Sequence, residues 1–339
     1  RMSDIELNSF RAWWLASRPK TLAGAAAPVL VGGAFAFSVM KFLMFKGESL
    51  AVQSSEAVSG LLFNLLVPFG LCLLFALLMQ IDANFVNDYF DFKKGADRED
   101  RLGPERACAQ GWISPEAMRT GIIVTTALSC LVGIGIIMWA WQYELLVVGL
   151  LCVAGCFLYT TRLSYMGWGD VLVVVFFGIV PVAFTSYVAT SGQYFDVPLI
   201  LAGLAMGLAT DTLLVVNNYR DRNQDAISGK RTIIVRIIEK QVKKLGETQG
   251  RKEGEQICQD IYMWLGVFAT IIAFVALFLF PLSSIKYPFM LVYLILHFRA
   301  LRQFQSLDGK DLNKVLGVTA RNIFLFGFLL SISVAIGFM

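Results

Sequence analysis

Residues 57–91 read AVSGLLFNLLVPFGLCLLFALLMQI followed by DANFVNDYFD, an uncharged apolar run, Ala57–Ile81, that closes in a polar and acidic end. An apolar stretch of this length matches one bilayer crossing, which takes roughly 20 helical residues. The end of the run is its unusual part. Gln80, Asn84, Asn87, Asp88 and Asp91 recur at steps of three and four, so one helix face gathers amides and carboxylates where the chain leaves the apolar layer. Polar groups in a span are costly and by default face a cavity or one another.

Working outward, Thr21–Met40, Thr120–Tyr143, Leu145–Thr161, Val171–Phe195, Val197–Thr210, Ile261–Ile285 and Asn322–Met339 read as further spans. Tyr287–Phe298 is a short ninth, flanked by Lys286 and Arg299, whose stems are long enough to snorkel. Only 16% of residues are charged and 57% are hydrophobic, against about a quarter charged in soluble domains. With nine spans, all of the 29 Lys and Arg except Lys41, Lys46 and Lys286 fall on one side. That asymmetry places the N-terminus and both long loops in the cytosol. The expectation is an all-α polytopic membrane protein, about nine helices in one bundle around a central cavity. Residues 1–339 form a single transmembrane domain, with an interfacial segment at 1–20 and charged loops at 91–119 and 220–260. Ser114-Pro115-Glu116 marks a helix start by its N-cap, its proline and its first-turn acid. Glu247–Gln256 (ETQGRKEGEQ) is so poor in apolar residues that mobility is expected there.

The acidic end has an echo. Asn87-Asp88-Tyr89-Phe90-Asp91 and Asn217-Asn218-Tyr219-Arg220-Asp221 share N-x-Y-x-D, each at the inner end of a span, four spans apart. Two parallel four-helix pseudo-repeats plus one helix follow. The second copy also carries Asp225 one turn on, and Asp211 deep in the span.

Clustered carboxylates at a low-dielectric boundary repel unless cations join them. The donors are oxygens, with no Cys or His beside them, which favours Mg²⁺ over zinc. Mg²⁺ typically combines one or two carboxylates with substrate phosphates, so the expected ligand is a diphosphate bridged to both helix ends. Lys94, Arg101, Arg106, Lys230 and Arg231 follow the acids and suit the remaining phosphate charge; the alternative is that acids and bases simply pair in a solvated network. Other chemistries fall away. A net charge of +4 gives nucleic acid no foothold, and the single histidine, His297, lies far from the acidic motifs. No Ser-His-Asp arrangement can be built. The six cysteines contain no CxxC pair and mostly sit in apolar runs.

Asn87-Asp88-x-x-Asp91-x-x-x-x-x-Asp97 and Asn217-Asn218-x-Arg220-Asp221-x-x-x-Asp225 resemble the two Asp-rich motifs of the UbiA-type intramembrane aromatic prenyltransferases. Arg18-Pro19-Lys20-Thr21-Leu22, Asp100-Arg101-Leu102-Gly103-Pro104, Gly111-Trp112-Ile113-Ser114, Gly169-Asp170 and Gly229-Lys230-Arg231-Thr232 resemble the branch that prenylates 1,4-dihydroxy-2-naphthoate in menaquinone synthesis. The resemblance covers nearly the whole chain. It implies a multi-pass prenyltransferase of the bacterial cytoplasmic membrane that uses Mg²⁺, a polyprenyl diphosphate and an aromatic acceptor. It also implies that Asn87, Asp91, Asp221 and Asp225 contact metal and diphosphate, with Asp88 and Asn217 as further or alternate ligands and Asp91 and Asp221 as the central catalytic pair. Arg18 and Lys20 match basic positions near diphosphate or acceptor, and Asn217 and Asp211 are further acceptor-side candidates, although Asp211 also reads as a residue pairing internally. Tyr159, with Thr160, matches a position beside the cationic prenyl carbon, where a ring face attracts positive charge. Two other readings share these features: a related enzyme using 4-hydroxybenzoate or homogentisate, and a cation transporter built on intramembrane carboxylates.

Overall fold

The computed structural model describes residues 5–47, 55–95, 101–282 and 288–336, and every regular element among them is helical. A short α1 (Phe10–Ala16) is capped by Ser9, whose side chain accepts the Ala12 N–H. Phe10 and Trp14 lie on its exposed side, while Trp13 packs edge-on against Phe85. The long helices follow: α2 (Pro19–Gly47), α3 (Ser55–Lys93), α4 (Pro115–Ala140) and α5 (Leu145–Leu158), which ends in a π-helical turn at Tyr159–Leu163. Next, α6 (Gly169–Val174) and α7 (Val180–Ala189) form one crossing joined by a second π turn, and α8 (Val197–Arg220) runs back to the charged side. The start of α4 is as its sequence dictates, with the Ser114 hydroxyl accepting from Ala117 and Pro115 in the first turn.

Beyond α8 the structure corrects an expectation. Residues 220–260 form no slack loop: α9 (Arg222–Ile227) and the amphipathic α10 (Ile233–Leu245) lead into α11 (Glu247–Leu279), which takes in the whole of Glu247–Gln256. Glu, Gln, Lys and Arg are strong helix formers even without apolar neighbours. Gly250 and Gly254, four residues apart, supply the packing: a side chain at Gly250 would strike the Gln241 carbonyl and one at Gly254 the Ile238 backbone. Thus α10 buries Ile234, Val235 and Ile238 against the start of α11. Finally come α12 (Pro288–Ser306) and α13 (Leu312–Ala335).

Eight crossings among the described residues are long and apolar enough to span a membrane. The ninth long helix, α12, packs between α11 and α13 and carries Arg299 and Arg302 in its C-terminal half. The two halves correspond in their packing: α3 leans on α4 as α8 leans on α11, and α13 closes the bundle on α2 and α8. In lipid, helices associate through close packing rather than a water-driven effect, which favours small residues at contacts. Ala202, Ala205 and Ala209 of α8 and Ala269, Ala273 and Ala276 of α11 are all fully buried. Leu62, Phe63 and Leu66 of α3, Ile123 and Leu131 of α4, and Leu146 and Leu150 of α5 are left exposed, the side a bilayer would cover.

Candidate active site

The acidic ends of α3 and α8 lie at one end of the bundle, and Asp91, Asp221 and Asp225 each face a cation of the chain's own. At α3, Asp88 is 1% exposed and accepts the backbone N–H groups of Ala107 and Cys108, both at 2.9 Å. That double acceptor fixes the helical turn in which Gln110 N–H bonds the Arg106 carbonyl. Arg106 is thereby folded back onto the helix end, and its Nη2 donates to Asp91 Oδ2 at 2.6 Å. Asp88 is expected as a further or alternate metal ligand; in the structure both its oxygens hold backbone.

At α8, the chain breaks helix at Asp221 and restarts as α9, where Asp225 N–H bonds the Asp221 carbonyl. Arg220 grips Asp221 at two points, Nε to Oδ1 at 2.7 Å and Nη2 to Oδ2 at 2.6 Å, and its Nη2 also reaches Asn217 Oδ1 at 2.9 Å. The Lys230 N–H bonds the Asp225 carbonyl, which turns its ammonium back to 3.5 Å from Asp225 Oδ2. That oxygen is enclosed and has no hydrogen-bond partner. Burial pushes the Asp225 carboxyl up to about 6; Lys230 opposes this, while Asp221 and Asp91 add to it. The last two influences show that the three carboxylates share one electrostatic neighbourhood.

The π turn after α5 faces them. The Thr160 hydroxyl donates to Asn87 Oδ1, and Tyr159 lies within electrostatic reach of Asp170, Asp211, Asp91 and Asp225. Where a central cavity is expected, only a narrow cleft, with room for little more than a water molecule, opens between Tyr159, Asp170, Asn218 and Lys230. Arg18 approaches from the junction of α1 and α2 in a left-handed backbone conformation (φ 51°), which costs a residue other than glycine some strain. Its Nη2 is enclosed and has no hydrogen-bond partner. Burial, and then the nearby Arg106, lower its pKa to about 9.

Other expected site residues are engaged elsewhere. Lys94 donates to the Thr161 carbonyl at 2.9 Å and sits 3.9 Å over the Tyr165 ring, closing the end of the π turn. Arg231 turns outward to Glu239, at 2.9 Å, because the turn at Gly229 points Lys230 inward and its neighbour away. Arg101 donates to the Pro104 carbonyl at 3.1 Å, and Lys20 is exposed on the first turn of α2. Asp211 is 4% exposed, lies beside Asp170, and has one oxygen without a partner. Asp97 and Asp100 lie outside the described residues. Among the described residues, no three His, Cys, Asp or Glu side chains converge closely enough to hold an ion; Asp91, Asp221 and Asp225 are each drawn toward a basic partner.

Sequence reasoning passed over three groups. Asp82, fully buried within α3, accepts the Thr125 and Thr126 hydroxyls at 2.6 and 2.8 Å. Its signal was an acid one residue past an apolar run, opposite two adjacent threonines. Asn313 bonds Arg220 from the start of α13, and no local pattern announces it. Arg220 itself stood only as a motif letter, although an arginine at the inner end of a span asks for a partner.

A profile of the UbiA prenyltransferase family matches residues 49–332. The 1,4-dihydroxy-2-naphthoate octaprenyltransferase of Haemophilus influenzae is 34% identical over 235 residues, 67% of this chain and 69% of its own. The Escherichia coli protein of the same name is 33% identical over 246 residues, 70% and 72% of the two chains. A solved structure of a digeranylgeranylglyceryl phosphate synthase overlays 96% of this chain and 98% of its own, with a TM-score of 0.58 and 14% identity. A UbiA homologue from Archaeoglobus fulgidus bound to DMAPP and Mg²⁺ overlays 94% and 98%, with a TM-score of 0.52 and 15% identity. At such identities these two likenesses concern the fold.

Proposed function

The chain belongs to the UbiA prenyltransferase family, and we propose that it transfers a polyprenyl group from polyprenyl diphosphate to 1,4-dihydroxy-2-naphthoate, releasing CO₂ and diphosphate and giving a demethylmenaquinol. The observation that carries this reading is the meeting of Asp91, Asp221 and Asp225 with Arg106, Arg220 and Lys230 at one end of the bundle. The names of the relatives supply the acceptor.

The donor set suits Mg²⁺: oxygens only, with an enclosed Asp225 oxygen that no hydrogen bond satisfies. Asp91, Asp221 and Asp225 would hold it, with the Asn87 and Asn217 amide oxygens beside them. When bound, the metal supplies positive charge against the departing diphosphate. Arg106 and Lys230, once off their carboxylates, add hydrogen-bond donors to the same phosphate oxygens. As the prenyl C–O bond breaks, its electron pair leaves with the diphosphate and positive charge spreads over the allylic carbons. The Tyr159 ring, enclosed beside the acids, offers that charge an apolar face and excludes water. The acceptor ring then forms the new C–C bond, and the pair from its bond to the carboxyl carbon restores aromaticity as CO₂ departs. Charge and protons balance without an external base. Arg18, with its free Nη2 and strained backbone, is the group suited to a carboxylate or phosphate oxygen arriving from outside; Lys20 and Asp211 remain acceptor-side candidates. In this reading both acidic ends face the cytosol of a bacterial cytoplasmic membrane, the side that the placement of the basic residues supports.

Membranes containing the protein, given the naphthoate, a prenyl diphosphate and Mg²⁺, should release CO₂ and diphosphate in equal amounts. They should turn over 4-hydroxybenzoate far more slowly. Faster prenylation of 4-hydroxybenzoate overturns the acceptor assignment and leaves the metal–diphosphate site standing.

A further inference from the structure

We propose that Arg220 is the positioning residue of the second acidic motif. It holds Asp221 at both oxygens and, through Asn313, ties the loop of the first motif to it, so that a cation arriving at Asp221 must release that loop. The inference rests on the reading of Asp221 as a metal ligand.

Arg220 is 2% exposed, and each of its three nitrogens is used. Nε and Nη2 take the two oxygens of Asp221, and Nη2 also takes Asn217. Nη1 donates to Asn313 Oδ1 at 2.8 Å. The same Asn313 amide donates to the Leu102 carbonyl at 2.8 Å and to the Lys310 carbonyl at 2.9 Å. One guanidinium therefore connects the end of α8, the start of α13 and the loop that leads from Asp91 to Arg106. Gly103 completes the contact: a Cβ placed there would lie 2.7 Å from Arg220 Nη2, so a larger residue would push the guanidinium aside.

A buried guanidinium is expensive unless its donors are paired, and the two-point carboxylate grip is its strongest pairing. A hard divalent cation at Asp221 needs one or both of the oxygens that Arg220 holds, and like charges at contact distance repel. The guanidinium is planar and rigid, so drawing Nε and Nη2 off Asp221 turns the plane that also carries Nη1 and strains its bond to Asn313. Movement at Asp221 is thereby transmitted to Leu102 and Gly103. The first motif has a direct contact instead: Arg106 reaches Asp91 with no relay.

The test uses the detergent-solubilised full chain, with Mn²⁺ binding read by EPR and hydrogen exchange followed over residues 101–106. Arg220→Gln should bind Mn²⁺ about tenfold more tightly than wild type when no diphosphate is present, within the usual range of coupled binding. Arg220→Lys keeps the charge and loses the two-point grip, and should fall between. Asn313→Ala leaves the Arg220–Asp221 pair in place and should speed exchange at 101–106 by about tenfold, an opening worth about 1.4 kcal/mol. In wild type, Mn²⁺ with inorganic diphosphate should speed the same amides. Unchanged or weaker Mn²⁺ affinity in Arg220→Lys, or an unchanged loop in Asn313→Ala, overturns the proposal even if Arg220→Gln does not fold. If Mn²⁺ binds no form of the protein, with or without diphosphate, the metal-ligand reading of Asp221 fails as well.

Discussion

The C-terminal ends of α3 and α8 spell the same N-x-Y-x-D pattern, and the structure connects them in different ways. At α3 the acids divide their work: Asp88 gives both oxygens to the backbone of a loop, and Asp91 is met by Arg106 from that same loop. At α8 the partners are local, with Asp221 held by the adjacent Arg220 and Asp225 by Lys230. The first end is thus assembled by tertiary structure, whereas the second is largely assembled by its own turn. A repeated motif fixes where polar groups leave the membrane; the neighbours fix what each group does.

The sharpest way to break this comparison is to exchange acids at the two ends. Asp91→Asn and Asp221→Asn should each lower prenyl transfer by about 100- to 1000-fold, the scale of losing one charge-stabilising group, with melting in detergent close to wild type. Asp88→Asn should act mainly on stability. Its new NH₂ faces a backbone N–H that needs an acceptor, a buried mismatch worth about 1–3 kcal/mol. Its melting temperature should drop, and exchange at residues 106–110 should rise. If Asp88→Asn instead loses activity with unchanged melting, Asp88 is a ligand and the division of labour at α3 is wrong.

The bases give a smaller, graded contrast. Arg106→Met and Lys230→Met remove cations that face the acids, and turnover should fall by about 10- to 100-fold. Lys94→Met loses a cap on the Thr161 carbonyl and should cost about 1 kcal/mol of stability with a milder kinetic effect. Arg231→Ala removes an exposed pair with Glu239, and both turnover and melting should stay within about twofold and 1 °C of wild type. A large loss in Arg231→Ala would place that side chain in the site after all.

These contrasts separate what was legible in the sequence from what was not. The spans and the two acidic ends follow from hydropathy and a repeated pattern, both of them local properties. The roles within the first end do not: Asp88 and Asp91 are one turn apart on one face, and only the fold of residues 101–113 distinguishes them. The same limit hid α10 and the start of α11. Polarity alone marked Glu247–Gln256 as slack, but Gly250 and Gly254 matter only once α10 lies against them. Asp82 escaped notice because its partners, Thr125 and Thr126, belong to another span.

The finest test asks whether the second end is electrostatically strained, and Asp225 can report it. Burial raises its carboxyl from 3.8 to about 6, with Asp221 and Asp91 adding to the rise and Lys230 only partly reversing it. The folded protein therefore holds that proton more tightly than the unfolded chain does. The resulting stability is fully present below pH 3.8 and is lost as the pH rises through about 6, where the carboxylate ionises in a site that disfavours it. Asp225→Asn abolishes the titration while keeping shape. The difference in melting temperature, variant minus wild type, should be flat below about pH 4, rise between pH 4 and 6.5, and level off about 2–5 °C higher. Added Mg²⁺ with inorganic diphosphate should shrink that difference at pH 7.5 by stabilising the wild type alone, since the variant lacks the charge that draws the metal. A difference that stays flat from pH 4 to 7.5 would mean that Lys230 fully neutralises Asp225, leaving the end of α8 no more strained than that of α3.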